Sequence, residues 1–78
     1  MKEALARFIA SELLGDDTHH VGENDDLLTS GLIDSLGVMS LIFFIEQELD
    51  LEVPPEDVTI ENFLSIETID RYLSARKP

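Results

Sequence analysis

The chain has 78 residues, 17 acidic and 5 basic, with a formal net charge of −12 at pH 7. That length accommodates one small domain, residues 1–78, and the charge argues against nucleic acid and anionic membrane surfaces, whose phosphates would repel it. No cysteine is present, so disulfides and thiolate metal sites are excluded, and a reducing, cytoplasmic setting is expected.

The N-terminal "MKEALARFIA" is too charged, and its apolar run too short, for a signal peptide or a membrane span; a complete, soluble chain that acts as a monomer is expected. Within "KEALARFIASELL", Leu5, Phe8, Ile9 and Leu13 share one face of a predicted helix. Gly15 follows as its stop. The next stretch, "GDDTHHVGENDDLLTSGLI", is rich in Asp, Asn, Gly, Thr and Ser and reads as a long loop. Val21, Leu27, Leu28, Leu32 and Ile33 are expected to pin it to the core. A loop this long in a small domain is expected to be functional or disordered.

A second helix is predicted from Asp34 or Ser35 to about Asp50, with Asp34 as its N-cap. Pro54 and Pro55 end any helical continuation. Thr59 is placed to cap a short helix over "IENFL", and Ser65 a last one over "IETIDRYLSAR", with Ile66, Ile69 and Leu73 inward. No segment alternates like a strand. The predicted class is therefore all-α: a four-helix bundle with three longer helices, one short helix and a long first loop.

The second helix carries more apolar residues than one buried face uses. At about 100° per residue with Leu36 at zero, Val38, Leu41, Ile42, Ile45 and Leu49 fall between roughly 140° and 240°, the core stripe. Leu36, Met39 and Phe43 fall on the opposite side with Ser40 and Gln47, and Glu46 lies at its edge. Two readings of this second stripe stand open. The long loop folds over it, or it docks a partner, with Leu36, Met39, Phe43, Glu46 and Gln47 as the patch.

Catalysis by the chain itself is not expected. His19 and His20, the only histidines, lie in the polar loop with no neighbour fixed by sequence. "GLIDSLG" lacks the glycine two residues before the serine that a nucleophile elbow needs. "DDTHHVGENDD" does not have calcium-loop spacing, so no metal site is expected. Ser35 remains, either as a cap or first-turn residue, or as a site of modification. A phosphodiester there would meet free N–H groups and the positive end of the helix dipole.

"DDLLTSGLIDSLGVMSLIFFIEQELDLEVPPED", Asp25 to Asp57, resembles acyl carrier proteins and their aminoacyl and peptidyl carrier relatives. The resemblance is carried by Asp34-Ser35-Leu36, by Gly31-Leu32 before it, by the apolar helix after it, and by Glu52 to Pro54. It implies the carrier fold, with a 4′-phosphopantetheine arm from coenzyme A attached to Ser35 by a phosphopantetheinyl transferase. Asp34 and Leu36 match the residues recognised around that serine. The arm's thiol would hold an acyl group as a thioester and present it to acyl-processing enzymes of fatty-acid, polyketide or related biosynthesis. An alternative is an aminoacyl or peptidyl carrier served by a stand-alone adenylating enzyme, which "VTIENFLSIETIDRYL" also resembles. From another class, an unmodified acidic interaction bundle would use the Leu36-Met39-Phe43 stripe alone. Typical fatty-acid carriers place acids early on the recognition helix, where this chain has Gly37 and Ser40. Phe44 is expected near the edge of the core; an intrusion of its ring on a cavity there would restrict long acyl chains.

Overall fold

Residues 1–76 are described by the computed structural model; Lys77 and Pro78, included in the expected domain 1–78, lie outside the described residues. Helix α1 spans Lys2–Phe8 and runs directly into a π-helical segment, Ile9–Leu13. Helix α2 spans Ser35–Leu49, α3 Ile60–Phe63 and α4 Ile66–Arg76, with a 3-10 turn at Pro55–Asp57. The all-α architecture and the order of three longer helices and one short one agree with the sequence pattern, and the described residues contain no strand.

The first helix departs from that pattern. Its last turn widens, with the Leu14 N–H donating to the Ile9 carbonyl at 2.9 Å. Such a wide turn changes which side chains face inward. Ala10 is buried beside Leu5 and Ile9, whereas Phe8 and Leu13 are half-buried. Nothing in the side-chain pattern of residues 9–13 marks the change. Gly15 then leaves the helix at φ +69°, a conformation that suits glycine.

The other caps follow their sequence signals. The Thr59 hydroxyl accepts from the Asn62 N–H at 3.2 Å. Ser65 and Thr68 cap α4 reciprocally: the Thr68 N–H donates to the Ser65 hydroxyl at 3.2 Å, and the Ser65 N–H donates to the Thr68 hydroxyl at 3.0 Å.

The long first loop is fastened at both ends of its apolar part. Val21, Leu27 and Ile33 are buried, with Leu28 and Leu32 packed against the core. The Leu27 N–H donates to the Leu64 carbonyl at 2.7 Å, and the Glu67 N–H donates to the Glu23 carbonyl at 2.8 Å. Asp26 shapes the turn just before α2, accepting from the N–H groups of Leu28 and Thr29 and from the Thr29 hydroxyl. Those bonds, the Thr29 hydroxyl first, hold its carboxyl below the ordinary carboxylate value. The loop therefore delivers Asp34 and Ser35 to a fixed place.

Candidate functional site

Helix α2 begins where the loop ends. Asp34 is its N-cap in extended conformation, and its Oδ1 accepts from the Gly37 N–H at 2.8 Å. Ser35 is the first helical residue and is exposed. In a first turn the N–H groups have no carbonyl of the same helix to reach. The Asp34 carboxylate satisfies the one on Gly37, so those of Ser35 and Leu36 remain available to an anion bonded to Ser35.

Gly37 has a steric reason to be glycine. A Cβ there would stand 3.2 Å from the Ile33 Cβ and 3.4 Å from the Asp34 Oδ1. Buried Ile33 thus approaches the first turn of α2 more closely than any side chain at position 37 permits without movement. What reads in sequence as a missing acid is a packing requirement. The available signal was the glycine itself, which costs about 1 kcal/mol relative to Ala inside a helix and so marks a close approach.

The two stripes of α2 separate cleanly. Leu41 and Ile45 are fully buried, and Val38, Ile42 and Leu49 pack partly against the core. Leu36, Met39 and Phe43 are 78%, 67% and 63% exposed, so the long loop does not cover them. Gln47 is exposed at the same side. Glu46 is placed differently from the sequence expectation: its Oε2 accepts from the Val53 N–H at 2.9 Å, and its carbonyl accepts from Leu51. It is half-buried and braces the segment after α2 instead of standing free at the rim.

Phe44 is half-buried at the edge of the core, where the sequence places it. Its ring stacks on Phe8 with centroids 4.3 Å apart and planes 16° from parallel. That pair closes the seam between α1 and α2 on the outside of the bundle, beyond the reach of sequence periodicity within either helix. The stack floors an open apolar cleft of about 510 Å³, with Met39, Ser40, Phe43 and Gln47 around it. His19 and His20 are exposed, and among the described residues no group of three or more His, Cys, Asp or Glu is placed to hold a metal ion. No helix among them is long and apolar enough to cross a membrane.

A model of the family described as "Phosphopantetheine attachment site" matches residues 5–72. The chain belongs to this family. It is a carrier protein, of a kind that bears 4′-phosphopantetheine covalently on a serine, and the unmodified interaction bundle gives way to that reading. Among solved structures, the chain is similar to one in the crystal structure of Bradyrhizobium japonicum glycine:[carrier protein] ligase complexed with glycylated carrier protein. The two are 26% identical, with a TM-score of 0.69, over 90% of this chain and 89% of that one. Carrier domains of this family are non-catalytic and work with a phosphopantetheinyl transferase and an activating ligase.

Proposed function

We propose that residues 1–78 form a discrete carrier protein whose Ser35 takes the 4′-phosphopantetheine, and whose cargo is an amino acid or similarly small acyl group. The observation that carries this reading is the exposed Ser35 at the first position of a 15-residue helix whose cap, Asp34, is already bonded to Gly37. The phosphodiester then gains the remaining first-turn N–H groups and the helix dipole. When bound, the group supplies a thiol, which this cysteine-free chain lacks, for a thioester to the cargo.

The chain's own residues position and present that group. Asp34 and Leu36 flank the serine for recognition by the transferase. Leu36, Met39, Phe43 and Gln47 form an apolar docking patch for the activating ligase and later acyl-processing enzymes, with Glu46 bracing the far end of α2. Met39 and Phe43 together contribute a gross ~3–6 kcal/mol when buried by a partner, much of it offset by the cost of association. Transient docking follows, as a carrier that visits successive enzymes requires. A tethered cargo also reaches each of those enzymes at raised effective concentration.

Two features support a small cargo. Phe63, Leu5, Ile9, Leu27, Leu41, Ile45 and Ile69 fill the core with less than 2% exposure each. The likeness to a chain solved with a glycine:[carrier protein] ligase points the same way. A longer acyl chain for fatty-acid or polyketide enzymes is the second reading. It is favoured by Phe44, whose ring is held in a stack on Phe8 at the edge of the core.

A loading experiment separates the two. Protein bearing the arm is incubated with ATP and a panel of adenylating ligases with amino acids, or with acyl-activating enzymes and fatty acids, and weighed intact. An aminoacyl mass gain that hydroxylamine removes is the expected result. Gain with fatty acids alone would replace it with the second reading.

A further inference from the structure

Ser40 lines two clefts at once. The first, about 300 Å³ and mainly polar, opens at the start of α2, between Glu12 and Leu13 of the first helix and Asp34, Leu36 and Gly37. The second is the apolar cleft of about 510 Å³ over the Phe8–Phe44 stack. Together they form a seam along the outside of α1 and α2, with Ser40 at the junction.

We propose that this seam is the resting site of the phosphopantetheine arm, with its first amide over Ser40 and its thiol end in the aromatic cleft. The inference rests on Ser35 as the attachment residue. Length supports it first. Fourteen bonds separate the serine oxygen from the arm's sulfur, and about 1.2 Å of advance per bond gives roughly 17 Å. At about 1.5 Å per helical residue, Gln47 at the far wall of the second cleft lies roughly 18 Å along α2 from Ser35. The arm thus ends in the aromatic cleft when extended along the seam.

Chemistry supports it second. Phosphodiester, first amide and thiol end follow one another along the arm, as helix N–H groups, polar cleft and apolar cleft do along the seam. Size supports it third: Gly37 and Ser40 leave the route open, whereas a larger acid at 40 would fill the junction and repel the phosphodiester. Because Met39 and Phe43 serve both the seam and the docking patch, an enzyme that covers them frees the arm as it binds.

The chain has no cysteine, so a thiol-reactive nitroxide labels the arm alone. Amide NMR spectra of the labelled protein are compared before and after reduction of the nitroxide. The amides of Phe8, Phe43 and Phe44 are expected to lose more than about half their intensity by proximity. Arg71 on α4, a helix that lines neither cleft, should keep most of its signal. In Ser40→Phe, which fills the junction, the loss at Phe8 and Phe44 should disappear while the circular dichroism and the melting temperature of the unmodified protein stay close to those of the parent. Equal losses at Arg71 and Phe8, losses confined to Leu36 and Gly37, or full losses retained in Ser40→Phe would overturn the seam while leaving Ser35 as the attachment residue. Failure to gain the arm at all, seen by mass before labelling, would remove both.

Discussion

Ile45 and Phe43 stand on the same helix, yet Ile45 is fully buried and Phe43 is 63% exposed. Their residue types would suit either place. What differs is angle: about 200° of helical rotation puts one in the core and the other toward solvent. The inner face is closed by the chain's own elements, including the long loop through Leu27 and Ile33. The outer face is left exposed. With the proposed docking patch, a helix apolar on both sides in a protein this small divides folding from recognition.

Breaking the inner face should cost the most. Ile45→Ala is expected to lose about 2–5 kcal/mol in urea unfolding, because the packed core around it relaxes only in part. Phe43→Ala should stay within about 0.5 kcal/mol of the parent while slowing loading by the activating ligase several-fold. Comparable stability losses at the two positions would erase the distinction.

The boundary between the faces is the cap. Asp34→Ala removes the acceptor for the Gly37 N–H and is expected to cost about 1 kcal/mol. Fraying should then be confined to the first turn, as read by amide hydrogen exchange at Gly37 and Val38. Exchange accelerated equally through Ile45 would show that the cap governs the whole helix.

The smallest effect concerns acid. Asp26 lies below its ordinary value of 3.8, chiefly through the Thr29 hydroxyl, and Glu67 below 4.5, chiefly through its hydrogen bond with Lys2. A carboxyl with a lowered folded-state pKa stabilises the fold above its unfolded value and stops doing so as pH falls through the folded one. Melting temperature should therefore be insensitive to these groups from pH 7 to 5 and should lose their contribution below about pH 4. Thr29→Ala should flatten that acid limb slightly; an unchanged limb would remove Asp26 from the account.

Much of this was legible in the sequence. Asp34, Thr59 and Ser65 announced three helix starts, and the 3.6-residue period separated Leu41 and Ile45 from Leu36, Met39 and Phe43. Local rules suffice there because each signal acts within one or two turns. The unread parts depend on contacts between distant segments. The Phe8–Phe44 stack joins two helices, the bond from the Val53 N–H to Glu46 crosses the end of α2, and the closeness of Ile33 to Gly37 comes from the path of a loop. The π-helical turn at Ile9–Leu13 had no sequence signal, and with it Ala10 moved into the core.

The central claim is that Ser35 carries the cofactor. Wild-type protein and Ser35→Ala, both folded by circular dichroism, are incubated with coenzyme A, magnesium and a broad-specificity phosphopantetheinyl transferase, then weighed intact. The account predicts one phosphopantetheine on the wild type and none on Ser35→Ala. An equal gain on both proteins, or none on the wild type, would contradict it.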